Sequence, residues 1–385
     1  MGTKEAWNNL RDVCVVGVGM HKFGRWPDKG VGDLVREAIL AALEDAGAEF
    51  KDIEVGFSGR VQNVTGTGQA VFGEVGQPGI LIDNVEKACA SSSTAIRIAS
   101  WAVAAGLYDV ALCTGVEKMQ RGLLGAPASE ASASYAQLMG LGIMPGEYAL
   151  RAQRHMAEYG STREQFAQVA VKSHKNGALN PYAQYQTPVT LEEVLNARMI
   201  AEPLTLYQCS PSTDGATAVV ICARDVAHRF RGKPIKLAGW GSGTPAYSPV
   251  GVGGDVAEGF VARVGKEAYN LAGLGPEDVD VCQVHDAFSA GEVFAVEELG
   301  FCADGEGAQF IWEGRADING EKPVNTDGGL ESRGHPMGAT GIAQVIEIVH
   351  QLRGEAGPRQ VPGDPKVGVT HNVGVGGCNI LVFTK

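Results

Sequence analysis

The chain has 385 residues, 44% hydrophobic and 20% charged, which is enough to bury a large core of ordinary globular composition. Its 32 basic and 44 acidic residues leave a formal charge of −12 and no Lys/Arg cluster stands out, which argues against nucleic acid and anionic membrane surfaces as partners. No 18-residue charge-free apolar run suggests a membrane span, the first ten residues carry no apolar leader, and eight scattered cysteines form no C-x-x-C pair. A cytoplasmic protein with no disulfide frame and no metal site is therefore expected.

Along the chain, Val13 to Gly19 reads as a buried strand ending in glycines, and Leu34 to Ala46 as an amphipathic helix. The segment K-A-C-A-S-S-S, Lys87 to Ser93, places one thiol among very small residues before an almost wholly apolar run, Thr94 to Gly106. That pattern presents Cys89 at the N-terminus of a buried helix, where partial positive charge favours a thiolate. A strand over Asp109 to Thr114 follows. Residues 117–212 hold helical periodicity at Met144 to Tyr159 and Arg163 to Asn176, broken by loop signals such as Asn180-Pro181. A long insertion of this kind is usually functional, so it is expected to cover the site.

The chain then repeats itself. Ile235 to Gly241 is a second glycine-ended strand, and Val264 to Ala272 a second helix. The ten residues from Ala46, A-G-A-E-F-K-D-I-E-V, echo A-G-L-G-P-E-D-V-D-V from Ala272. His335 precedes an apolar helix over Gly338 to Leu352 and a strand over Lys366 to Thr370, as Cys89 precedes its own helix and strand. Both helices are too apolar for a surface, so each is expected between layers. Two-fold pseudosymmetry would bring Cys89 and His335 together in a layered α/β fold of two similar halves. The expected division is 1–118 plus 213–232 for the first half, 119–212 for the covering insertion, and 233–385 for the second half. No G-x-G-x-x-G opens a helix after a strand, so a dinucleotide cofactor is not expected.

K-A-C-A-S-S-S at Cys89, S-T-D-G-A-T-A-V-V from Ser212 and G-H-P-M-G-A-T-G from Gly334 resemble the thiolase superfamily over essentially the whole chain. H-D-A-F at His285 and H-N-V-G-V-G-G from His371 resemble its sterol-carrier-protein-type and archaeal-type branch. The resemblance implies duplicated βαβαβαββ halves in a five-layered αβαβα arrangement with a covering loop domain. It implies an acyltransferase that cleaves a 3-oxoacyl-CoA with coenzyme A, or runs the reverse Claisen condensation. Coenzyme A is then a cosubstrate, with no cofactor held permanently. A homodimer is implied, and by analogy a heterotetramer with a small OB-fold protein of the DUF35 type. Other readings are a thiolase-like retro-aldolase acting on side-chain CoA esters, and a non-catalytic acyl-CoA-binding scaffold.

A free cysteine is ordinarily a structural core residue. The resemblance instead makes Cys89 the nucleophile, His335 the base that takes its proton, and His285, at the end of an apolar strand, an oxyanion donor. His371-Asn372 lies where ordinary thiolases carry a second cysteine, and Ala287 stands where some relatives have a thiol. Both usual acids are therefore missing, which leaves His371 or a water as the proton donor. Asn372, Gly374, Gly376 and Gly377 are expected to bring the backbone close to the thioester, with the N–H of Cys89 completing a second oxyanion hole. Cys378 shares that glycine-rich stretch. The remaining cysteines read as core or surface thiols.

Overall fold

The computed structural model describes residues 7, 9–62, 65–76, 79–119, 143–245, 259–374 and 377–385. The first half runs β1 (Val13–Met20), α1 (Val31–Ala46), β2 (Val55–Gly59), α2 (Thr67–Gly73), β3 (Leu81–Val85), α3 (Ser91–Ala104) and β4 (Val110–Lys118). Three helices follow, α4 (Met144–Tyr159), α5 (Arg163–Gly177) and α6 (Leu191–Asn196), with a short ribbon of β5 (Met199–Ala201) and β6 (Leu204–Thr205). The long strand β7 (Asp214–Ala223) returns to the first half. The second half runs β8 (Ile235–Gly243), α7 (Phe260–Ala272), β9 (Val281–Gln283), α8 (Ser289–Glu298), α9 (Gly307–Trp312), α10 (Thr340–Arg353), β10 (Val367–Gly374) and β11 (Gly377–Thr384).

Local sequence explains these elements. In α1, Leu34, Val35, Ala38, Ile39, Ala42 and Leu43 recur at helical spacing and are all buried. Asp33 accepts the Gly30 N–H at 2.9 Å at its start, and Gly47 closes it at φ 67°. Strands β1, β2 and β7 are buried along their whole length because helices cover both faces, whereas β3, at the sheet edge, exposes Asp83 and Asn84.

The sequence repeat appears as matched strand order. The nine strands of the main sheet run β3-β2-β4-β7-β1-β8-β11-β10-β9. Within the first half β2 and β4 are parallel, while β4–β7 and β7–β1 are antiparallel. The second half repeats this with β9–β10 parallel, then β10–β11 and β11–β8 antiparallel. The equivalent of β3 shrinks to a single parallel bridge between Cys282 and Val324. The halves meet through β1 and β8, which share only two register pairs.

Three apolar clusters define the layers. Val16, Val110, Leu112, Ala218, Val220 and the buried face of α1 form one outer cluster. Val264, Val293, Val369, Cys378 and Ile380 belong to the other outer cluster. Between them, Ile96 and Ala99 of α3 and Ile342 and Val345 of α10 pack with Val15, Cys113, Ile221, Leu237 and Leu381. The order is helix, sheet, helix, sheet, helix. Gly341 is required at the centre, because a Cβ there would lie 2.6 Å from the Ser93 nitrogen.

Two details differ from the sequence reading. The helix after His335 begins with a 3-10 turn, Met337–Ala339, and becomes α-helical only at Thr340. Strand β10 continues past Thr370 to Gly374, so His371 and Asn372 obey strand alternation and point to opposite faces.

Candidate active site

Cys89 sits in a tight turn between β3 and α3. Ala88 holds φ 46°, a left-handed conformation that costs a non-glycine residue about 1–2 kcal/mol. Three contacts hold the turn. The Ala88 N–H donates to Glu86 Oε1 at 2.7 Å, the Lys87 N–H donates to Ser91 Oγ at 2.9 Å, and the Ser91 hydroxyl donates to the Ala88 carbonyl at 2.6 Å. Gly374 lets β10 approach this turn, since a Cβ there would meet the Lys87 carbonyl at 2.3 Å. Gly377 packs against the Lys87 side chain in the same way. Gly376 lies outside the described residues.

Cys89, His285 and His335 converge, with the sulfur and one nitrogen of each ring all within 4.8 Å of one another. The two imidazoles meet edge to face, 5.1 Å between centroids at 82°. Among the described residues no further histidine, cysteine or carboxylate joins this group. A thiol and two imidazoles could ligate a soft cation as well as pass a proton.

Burial sets the protonation states. It pushes the half-buried Cys89 thiol up to about 12, and the carboxylates of Glu117 and Glu86 add to this. A backbone N–H at the helix mouth opposes the shift and loses to desolvation. The thiol is thus the resting form, contrary to the thiolate expected from helix position alone. Burial also lowers His335 to about 3, aided by the Arg333 charge, and holds His285 well below the ordinary histidine value. Both rings rest neutral.

Hydrogen bonds assign the proton on His335. Its Nδ1 lies 2.7 Å from Thr340 Oγ1, whose own hydrogen goes to the Pro336 carbonyl at 3.0 Å. The threonine oxygen therefore accepts, Nδ1 carries the hydrogen, and Nε2 keeps a free lone pair. The His335 backbone N–H donates to Thr213 Oγ1 at 3.1 Å, which seats the ring from the first half.

Strand parity separates His371 from Asn372. Asn372 pairs in register with Asn379 and faces the central helices, 3.2 Å from His285 Nδ1. His371 pairs with Ile380, a residue of the outer cluster. Its Nδ1 accepts the His285 backbone N–H at 3.4 Å, and its buried Nε2 has no hydrogen-bond partner among the described residues. Burial lowers it to about 3. Cys378 also faces the outer cluster, away from Cys89.

The sequence of this site matches two known families. Residues 13–225 match the thiolase N-terminal domain and residues 253–382 the thiolase C-terminal domain-like family. The chain belongs to the thiolase family. It is 41% identical to an acetyl-CoA acetyltransferase of Methanothermobacter thermautotrophicus, over 95% of this chain and 97% of that protein. It is 38% identical to the benzoylsuccinyl-CoA thiolase subunit BbsB of Thauera aromatica, over 96% of each. A solved Ltp2-ChsH2(DUF35) aldolase superposes with a TM-score of 0.84 at 29% identity, over 97% of this chain and 98% of that one.

This thiolase holds its histidines with motif residues to which the sequence assigned no such role. Thr340 and Thr213 seat His335, and Ser93 meets Asn372 Oδ1 at 2.7 Å. Behind them lies a buried ionic network. Arg333 pairs with Asp327, Arg359 with Glu347 at 3.0 Å, and Lys172 with Glu292 at 2.8 Å. From α4, Tyr148 packs on Phe288 with ring centroids 4.8 Å apart and lies near Cys89. The H-N-V-G-V-G-G stretch marks Asn372, and the period-2 pattern of β10 gives its direction; nothing local marks Tyr148.

Proposed function

We propose that this thiolase is an acyl-CoA C-acyltransferase that cleaves a 3-oxoacyl-CoA with coenzyme A, or condenses two acyl-CoAs, through an acyl-Cys89 thioester. The observation that carries the reading is the Cys89 thiol beside a neutral His335 whose free lone pair is Nε2. The thiol needs a base, and the base is in its basic form at neutral pH.

His335 Nε2 takes the Cys89 proton as the sulfur attacks the 3-oxo carbon. The C2–C3 bond breaks and leaves the acyl group on sulfur and an acetyl-CoA enolate. His285 donates to the enolate oxygen. Because His371 and Cys378 face the outer layer, the proton held on His335 is the one returned to C2. The incoming CoA thiol then gives its proton to His335, its sulfur takes the acyl group as the Cys89 S–acyl bond breaks, and the released Cys89 sulfur takes that proton back from His335. A 3-oxoacyl-CoA and CoA thus yield two acyl-CoAs. The backbone N–H of Cys89 with a nearby glycine would polarise the acyl thioester.

In this reading residues 1–118 with 213–232 supply the nucleophile, 233–385 the histidines, and 119–212 cover the site. The acyl-CoA cosubstrates are the only small molecules required. A cytoplasmic homodimer, joined by a small DUF35-type protein as in the aldolase relative, is the expected assembly. That relative also supports a second reading, retro-aldol cleavage of a CoA ester. Product analysis separates the two. Thiolysis consumes CoA and yields two thioesters, whereas aldol cleavage proceeds without added CoA and releases a free aldehyde or ketone.

A further inference from the structure

We propose that Asn372 is a positioning residue that sets the tautomer of His285, with Ser93 fixing the Asn372 amide. This rests on the reading of His285 as the oxyanion donor. An oxyanion donor at Nε2 must carry its hydrogen there, so Nδ1 must accept. The group facing Nδ1 therefore decides whether the ring can do its work. That group is the Asn372 side chain, whose Nδ2 lies 3.2 Å from Nδ1.

An amide can present either end, and the two orientations impose opposite tautomers. The Ser93 contact distinguishes them. Ser93 Oγ lies 2.7 Å from the other end of the amide, the usual length for O–H···O and short for N–H···O. The serine hydroxyl has two other polar neighbours, the Ala90 carbonyl at 3.0 Å and the Asn379 amide at 2.9 Å, and both are farther than the Asn372 end. Oxygen toward Ser93 leaves the amide nitrogen toward His285, so Nδ1 accepts and Nε2–H faces the sulfur. His335 is the reverse, with Nδ1–H and a free Nε2 lone pair. Two neutral histidines side by side thus become one donor and one acceptor. Ser93 stands on the first turn of α3, four residues after the nucleophile, so the helix that presents Cys89 also programmes the histidine from the other half.

The Asn372 amide is a group that cannot exchange a proton. It is fully buried and matches the neighbouring ring in hydrogen bonding.

The test is the Asn372→Asp variant, which keeps the size of the side chain but offers only acceptors when ionised. Nitrogen-15 NMR of histidine-labelled protein, with His285 assigned by comparison with His285→Gln, reads the tautomer directly. The expected result is Nε2–H in the wild type and Nδ1–H in Asn372→Asp, with kcat lower by about 10²–10³-fold and KM nearly unchanged. Ser93→Ala, which leaves the Asn372 fold contacts otherwise intact, should broaden or mix the two tautomers with a smaller loss of kcat. Nδ1–H in the wild-type protein would overturn the proposal, as would an Asn372→Asp protein with unaltered tautomer and kcat. A melting curve identifies a variant that has merely unfolded, and Ser93→Ala then decides. Absence of any acyl-Cys89 in the wild type would defeat the parent reading but leave the NMR result intact.

Discussion

The mouths of α3 and α10 hold equivalent places in the two halves and are built from opposite materials. Around Cys89 the first half supplies small residues, a strained Ala88 and a half-buried thiol. Around His335 the second half supplies the buried pairs Arg333–Asp327 and Arg359–Glu347. Duplication explains the scaffold, and the divergence of the two mouths explains the chemistry. The open mouth admits a substrate to sulfur. The closed one keeps an imidazole neutral and aimed, because a buried ring loses its charge before it loses its lone pair.

Substitutions at the two mouths should therefore differ in kind. Cys89→Ala should cause the largest loss, on the order of 10⁴-fold or more in kcat, since the covalent route disappears. His335→Ala should follow, with a loss of roughly 10²–10⁴-fold, the usual range for a general base. A residual rate in His335→Ala equal to wild type would place the base elsewhere. His285→Ala should cost about 10²–10³-fold, as loss of one oxyanion donor does. Steady-state thiolysis assays rank all three.

Below the chemical effects lie those on the scaffold. In Gly341→Ala the new methyl would meet the Ser93 nitrogen and the Asn372 side chain at under 3 Å, an overpacking that costs about 1–3 kcal/mol. Urea unfolding measures it, and an unchanged midpoint would mean that α3 and α10 are less tightly joined than described. The pH dependence sharpens the contrast between halves. His335 and His371 are neutral in the fold, each lowered from 6.5 to about 3, so the unfolded chain binds more protons between those values. Stability is then fully present above about 6.5 and is lost as pH falls toward 3. His335→Gln should flatten that slope. The smallest effect belongs to the nucleophile turn, where Ala88→Gly should relieve the left-handed strain and raise stability by at most about 1 kcal/mol.

Much of this was legible in the sequence for physical reasons. The repeat of glycine-ended strands and A-G-x-x-x-x-D segments announced two halves, and the matched strand orders follow from it. Cys89, His285 and His335 stood out because a nucleophile and bases need those residue types at element ends, and they meet within 4.8 Å. What escaped was set by non-local geometry. The strand expected to end at Thr370 runs on to Gly374, and the alternation that separates His371 from Asn372 lies in the two residues beyond the expected end. The thiol's protonation depends on burial between the layers and then on the nearby carboxylate of Glu117, which helix position does not reveal. The seating of His335 by Thr213 and Thr340 crosses 122 residues in one case and five in the other, and only folding brings the first within reach.

The most direct test of the account is intact-protein mass spectrometry after incubation with acetyl-CoA and a panel of 3-oxoacyl-CoAs, with Cys89→Ala alongside. The account requires an acyl adduct on the wild-type chain, absent from Cys89→Ala and discharged by free CoA. Substrate turnover by wild type with no adduct at any time, or an adduct that persists in Cys89→Ala, would contradict it.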